Sequence, residues 1–444
     1  MVPPAQTAPS EKGRWAVGTA TRDITPDQSM WMAGFAKRTE PSDGTEQELF
    51  AKATALEDGT GTVAVIATAD VLFVPRTMRE RVVERVTSGR GLDPDAVMVT
   101  ATHTHCGPEF REFKLDMYAD EDGPYHERGA AYRERLEDEL VAVIDAAVQD
   151  CQPAALSYSH ARCGFAMNRR LSVEDGIAHV QNPDGPVDHD VPVLVAERDG
   201  EPVAILFGYA CHTTTVFFTR FSGDWAGYAT RYVEAEYPDA TAQFVLGCAG
   251  DQNPYPRREP ELVAQHGRSL ANAVRAAVDS RRQPVRGPLR TVFTEQPVTF
   301  EPAPDRAELE AMCESEERYL RVRAERLLDE LDETGGIAQC YPYPIQAFGF
   351  GDDLTLVGLG GEVLVEYATQ LKESLPGPVW VAAYANAEFT YVPTADAVYE
   401  GGYEGTDAIL RSQYAGPLEP TNEDRILRRA RALADRVRGD RTVD

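Results

Sequence analysis

The most chemically suggestive stretch of the chain is Thr102-His103-Thr104-His105, which follows the apolar run Val97-Met98-Val99 and ends at Cys106-Gly107-Pro108. Two imidazoles separated by one residue can grip a metal ion or pass a proton. Were strand geometry to run through them, both rings would leave one face, roughly 6.5–7 Å apart along the backbone. A strand with two solvent-facing histidines has the same pattern, so H-x-H alone leaves both readings open. The same design recurs downstream. His212 follows Pro202–Tyr209, Asp251 follows Ala242–Leu246, Glu362 follows Leu354–Leu359 and Tyr391 follows Trp380–Tyr384. Each is a ligand or proton donor in a small-residue turn after an apolar run. Open α/β sheets build sites where loops converge at the carboxyl ends of strands.

The elements that must position these groups read as mixed strands and helices without an internal repeat. Trp15–Ala20, Gly61–Ala69 and the segment ending at His105 have strand character, with an amphipathic helix over Arg76–Ser88 between the last two. Strand, helix, strand in that order predicts parallel pairing. Helices are expected over Tyr132–Val148 and Glu261–Asp279, and one long charged helix over Ala307–Glu333. The fold class is therefore α/β, a mixed sheet whose strand-end loops form a composite metal site. The expected organisation is a loose arm at residues 1–12 and one large catalytic domain at 13–444, closing in a polar helix from Thr421.

Composition narrows the function classes. The 444 residues contain 72 acids against 44 bases, a formal net charge of −28, with only five lysines among the bases. Acids spread along the whole chain make a solvated surface of the kind found on salt-adapted proteins, one that repels nucleic acid and anionic membranes. No segment approaches the ~20 apolar residues that span a bilayer, and the first residues lack the apolar core of a secretory signal, so a cytoplasmic location is expected. Seven cysteines at irregular spacing make no disulfide framework and no CxxC zinc site. Cys106 and Cys211 each adjoin a histidine, which keeps a thiol nucleophile as a weaker reading.

The ordered motifs resemble the catalytic domain of the neutral/alkaline (non-lysosomal) ceramidase family. They are Asp23-Ile24-Thr25-Pro26, Ala33-Gly34-Phe35, Thr102 to Pro108, Asn168-Arg169, His212-Thr213, Ala249-Gly250-Asp251 with Pro254, Gly361-Glu362, Tyr391 to Thr394 and Tyr403-Glu404-Gly405. The resemblance implies zinc held by His103, His212, Glu362 and Tyr391, with Glu366 the competitor for Glu362. It implies that His105 sits near the attacking water, that Tyr403 donates to the oxyanion and that Arg169 anchors the substrate head. Gly34, Asn168 and Asp251 fall on the substrate side of the matched elements. Taken singly, His212 also reads as a core histidine, Glu362 as a helix N-terminal acid, Tyr391 as a half-buried aromatic and Arg169 as a surface ion-pair partner. The chain departs from the family at Cys106, where the family has serine, and at Asp251-Gln252-Asn253-Pro254. It also ends near the close of the catalytic region. The expected activity is zinc-dependent hydrolysis of an amide in a small N-acylated substrate, with homo-oligomerisation left open. The alternatives are a metal-dependent esterase or lactonase and a non-catalytic binding protein that keeps the fold.

Overall fold

The computed structural model describes residues 15–116, 123–387 and 389–439; the arm expected at 1–12 lies outside them. Eight strands form the path of the larger sheet: β1 (Trp15–Asp23), β2 (Phe50–Asp58), β3 (Val63–Ala69), β4 (Val97–Ala101), β5 (Gln152–Arg162), β6 (Asp190–Arg198), β7 (Glu201–Tyr209) and β8 (Thr241–Leu246). Their spatial order is β8-β7-β6-β5-β1-β2-β3-β4. The β3–β4 and β7–β8 pairs are parallel and the other neighbours antiparallel, so the sheet is mixed. A second sheet holds β9 (Leu289–Thr299), β10 (Cys340–Phe350), β11 (Leu354–Leu359) and β12 (Val379–Ala382).

Side-chain alternation dictates the layering. In β3 and β4, Val65, Ala67, Val97 and Val99 pack with Val82 of α1 (Arg76–Arg90) and Leu136, Leu140 and Val143 of α2 (Tyr125–Gln149). Their neighbours Ala64, Ile66 and Met98 face the other way, onto Phe348, Leu356 and Trp380 of the second sheet. On the remaining flank α3 (Asp224–Glu236) and α4 (Pro260–Asp279) share a core with β6 to β8. The expected long charged helix is two helices, α5 (Arg306–Cys313) and α6 (Arg318–Thr334), broken at Glu314–Glu317. They fold onto each other around Leu309, Ala324 and Leu327, a contact that one continuous helix cannot make. The terminal helix, α8, spans Asn422–Arg438, after α7 (Val365–Ser374). It is more than a polar tail, because its Ile426, Leu427, Leu433 and Val437 are buried in the core.

The two sheets are stitched where the site forms. Asn386, at φ 65°, donates its backbone N–H to Val99 O (2.6 Å), accepts Val99 N–H on Oδ1 (3.2 Å) and donates from Nδ2 to Gln346 Oε1 (2.7 Å). Ala383 N–H donates to Leu246 O at 2.9 Å. These bonds hold the ends of β4 and β8 against the exits of β11 and β12.

Candidate functional site

Strand β4 ends at Ala101, short of the two histidines, which corrects the strand geometry expected for them. Thr102 N–H still donates to Ala69 O (3.0 Å), but His103 then enters the left-handed region at φ 58°. For a residue with a Cβ that conformation costs about 1–2 kcal/mol. It is held by Thr213, whose hydroxyl donates to the carbonyls of Thr102 and His103 and whose own carbonyl accepts His105 N–H. The turn brings the Nε2 atoms of His103 and His105 to 3.1 Å, far closer than alternate strand residues stand. Gly34, at φ 93°, lies so close beneath that a Cβ there would stand 2.5 Å from His105 Cγ.

His212 follows β7 and is buried, with Trp225 Nε1 donating to its carbonyl at 2.9 Å. Glu362 and Tyr391 come from a two-residue parallel pairing after β11, in which they are direct partners and therefore project to one side. The Ala249-Gly250-Asp251 turn approaches this pair closely: a Cβ on Gly250 would meet Glu362 O at 2.6 Å. Glu362 Oε2 lies 3.2 Å from His103 Nε2 and 3.1 Å from His212 Nε2, and the Tyr391 hydroxyl lies 3.5 Å from His212 Nε2. Glu366, the competitor, makes none of these contacts. Burial, with Asp251 adding to it, pushes its carboxyl up to about 8.

The donor chemistry of this cluster calls for a cation. His103 Nδ1 sits 3.0 Å from Leu72 O and His212 Nδ1 sits 2.5 Å from Ala249 O. A carbonyl only accepts, so both Nδ1 atoms carry a proton and both Nε2 atoms are left facing the Glu362 carboxylate. Burial, with Arg169 adding to it, pushes His212 down to about 3. Burial likewise holds His105 well below the ordinary imidazole value, helped by the two neighbouring histidines. His105 and His212, held neutral beside a buried carboxylate, leave electron-rich atoms facing one another, the arrangement that a bound metal neutralises. The ligand nitrogens of His103, His105 and His212 all lie within 4.8 Å of one another.

Behind Tyr391 stands a buried charge network. Arg169 donates to the Tyr391 hydroxyl (2.9 Å), to Glu404 Oε1 (2.7 Å) and to Asn253 Oδ1 (3.1 Å). Its burial rules out the surface ion pair considered for it. Glu404 also accepts from Arg170 at 3.2 Å, and its side chain is fully buried. Glu404 stands in a quoted motif, yet sequence reasoning gave it no role; a carboxylate between glycine and tyrosine has no periodicity to betray it. Tyr384 was also missed. It is buried, at φ 54°, with its ring 4.5 Å from that of His103. Asn168 and Asp251 bond to each other (2.7 Å), and Asp251 accepts Val365 N–H (3.0 Å), so they brace the Glu362 turn from behind. Cys106 and Cys211 are both buried. Burial pushes the first thiol up to about 11 and the second well above its usual value, so neither is a ready nucleophile.

The cluster floors a cavity of about 510 Å³. Gly34, His103, His105, Glu362, Tyr391 and Tyr403 line it, whereas Arg169, Asn168 and Asp251 do not. Tyr403 opens a short helical turn, with its ring 5.4 Å from that of Tyr391.

The model of the family described as neutral/alkaline non-lysosomal ceramidase, N-terminal, matches residues 15–274. The chain belongs to this family. A neutral ceramidase of Mycobacterium tuberculosis is 27% identical over 260 residues, covering 54% of this chain and 40% of that protein. The match thus spans well under half the length of that curated relative. Among solved structures, a ceramidase complexed with C2 superposes with a TM-score of 0.75 at 20% identity, covering 96% of this chain and 76% of the other. The neutral ceramidase from Pseudomonas aeruginosa gives 0.72 at 20% identity with the same coverage. The likeness in fold extends well past residue 274, so it includes the segments that carry Glu362, Tyr391 and Tyr403.

Proposed function

We propose that this family member is a zinc-dependent amidase that hydrolyses a linear N-acylated substrate in the 510 Å³ cavity. The observation that carries the reading is the meeting of His103, His212, Glu362 and Tyr391, from distant segments, with the Nε2 atoms of both histidines against the Glu362 carboxylate. Two imidazoles, a carboxylate and a phenol oxygen form a donor set suited to zinc, and these four residues would hold it. When bound, zinc supplies Lewis acidity and brings a water toward a pKa of ~7.

The protein's own groups supply the rest. His105, neutral because burial depresses its pKa, faces the cavity beside His103 and is placed to take a proton from the attacking water. Tyr403, its hydroxyl kept protonated by burial, donates to the carbonyl oxygen as negative charge develops there. A donor of this kind contributes ~3–4 kcal/mol to the transition state. Arg169 fixes the Tyr391 hydroxyl, and Glu404 fixes Arg169, so the far side of the cluster cannot relax during turnover. The water oxygen adds to the acyl carbon, the C–N bond breaks, and the nitrogen leaves with a proton. The products are a carboxylate and an amine. Purified protein stripped by chelation should lose amide hydrolysis and regain it with one equivalent of zinc. Full activity in a verified metal-free preparation would refute the proposal.

A further inference from the structure

The cavity reverses the charge of the protein that contains it. Acids outnumber bases 72 to 44 along the chain, yet among the described residues the cavity lining carries Arg76, Arg111, Lys114, Arg133, Arg326 and Arg411 against Glu109, Glu112 and Glu362. Glu109 is paired with Arg111 and Glu112 with Arg133, while Arg76 turns to Glu80 and Glu295. Self-repulsion across an acidic protein gives no reason to gather cations in the cleft beside the histidine cluster; recognition of an anion does.

The cations are also stacked on the apolar walls. The Arg111 guanidinium lies 4.5 Å from the Phe73 ring centroid, Arg326 lies 5.3 Å from Phe113, and the Lys114 ammonium lies 4.5 Å from Tyr319. Arg411 ends the short turn Ala408–Arg411, and its guanidinium carbon sits 5.4 Å from the ring of Tyr403, the oxyanion donor of the mechanism. Its backbone carbonyl is held by Lys114 Nζ at 2.5 Å. Among the described residues no carboxylate lies within 4 Å of that guanidinium, which stands against the Tyr403 ring. A cleft with aromatic walls and cations at the mouth matches a molecule with an apolar chain and an anionic group. Arg411 stands against the ring of Tyr403, so an anion paired with it lies beside the residue assigned to the scissile carbonyl.

We propose that the substrate is an N-acyl amino acid, its acyl chain lying on the aromatic walls and its α-carboxylate paired with Arg411. This rests on the amidase reading for the chemistry, but not for the recognition. Hydrolysis would release a fatty acid and the free amino acid.

Two measurements separate recognition from chemistry. The first is calorimetric binding of the ketone isosteres of N-dodecanoylglycine and N-dodecanoylethanolamine, in which the amide N–H is replaced by CH₂ and cleavage is impossible. Wild type should bind the carboxylate at least tenfold more tightly. Arg411→Gln, a change at an exposed side chain, should erase that preference, and Arg411→Lys should keep most of it. Equal binding by wild type, or a preference that survives Arg411→Gln, overturns the proposal. The second is hydrolysis of the two amides by the zinc-loaded enzyme, where the same tenfold preference in kcat/KM should appear through KM and collapse in Arg411→Gln. If neither amide is cleaved while the binding preference holds, the amidase reading fails and the carboxylate site stands. If both are cleaved equally and bound equally, the amidase reading stands and the carboxylate site fails.

Discussion

The floor and the mouth of the cavity are built on opposite principles. At the floor the histidines are fixed from behind by carbonyls, Thr213 ties the turn of His103 to the segment of His212, and Arg169 and Glu404 pair in full burial. At the mouth, cations lie on aromatic rings and reach into solvent, and the Arg411 side chain is exposed. The floor concentrates neutral and negative donors under low dielectric, where each contact is strong and each error costly. The mouth holds positive charge where water screens it, which discriminates among ligands without straining the fold. In the proposed reading, reaction type and substrate choice therefore reside in different layers of the same cavity.

The sharpest way to break this comparison is at the floor. His103→Ala and His212→Ala should each lose bound zinc and lower kcat/KM more than about a thousandfold, as read by metal analysis of dialysed protein alongside turnover. A variant that keeps one equivalent of zinc takes that histidine out of the metal site. Glu404→Gln comes next. It leaves Arg169 and Arg170 short of a buried counter-charge, so unfolding free energy should fall by about 3 kcal/mol in urea titration, with kcat falling as well. An unchanged unfolding midpoint would mean that Glu404 is not the counter-charge on which Arg169 and Arg170 depend. Gly34→Ala should be smaller and more selective. The new Cβ displaces the His105 ring by about 1 Å, which costs roughly a hundredfold in kcat while zinc content stays at wild type. Loss of zinc in that variant would place His105 among the ligands.

Smaller effects sharpen the contrast in pH and salt. Asp70, half-buried just after β3, is pushed up to about 6, chiefly by loss of solvent around its carboxyl. A carboxyl whose folded pKa exceeds its unfolded value near ~4 favours the folded state at low pH, and that contribution is lost as pH rises through 6. Between pH 5 and pH 8 the wild-type Tm should therefore fall by a few degrees relative to Asp70→Asn. Parallel curves would remove Asp70 as the cause. Salt should act oppositely on body and mouth. From 0.1 M to 1 M KCl, screening relieves the repulsion of a −28 chain and Tm should rise, while the preference for an anionic ligand should shrink. A flat or falling Tm would defeat the idea of a salt-adapted surface.

The floor was far more legible in the sequence than the mouth. His103, His105, His212, Glu362 and Tyr391 sit in short turns after apolar runs, and a turn after a strand announces itself locally. How the first two histidines meet was not legible, since it depends on a left-handed residue held by Thr213 from another segment. The backing role of Asn168 and Asp251 was equally hidden, because a polar side chain bracing a turn and one touching a ligand look alike in sequence. The mouth left no signal at all. Arg411, Lys114 and Arg326 come from unrelated turns and helices, and each alone is an ordinary surface cation; only the break between α5 and α6 and the packing of that hairpin gather them. The parallel pairing of β3 and β4 was readable from strand, helix, strand order, whereas β2, β9 and β10 escaped because their apolar runs are interrupted by charged or proline residues.

The stitch at Asn386 has a kinetic consequence. It joins Val99 to a residue 287 positions later, and Glu362 reaches His212 across 150. Contacts of such separation form late, since long loops must close before any reward is collected. A chain with only the larger sheet assembled holds both histidines but lacks Glu362 and Tyr391. On the proposed zinc reading, tight capture is therefore confined to the finished molecule. The ion then acts on the exit from the native state rather than on its formation. Zinc should slow unfolding in proportion to its affinity and leave the refolding rate unchanged.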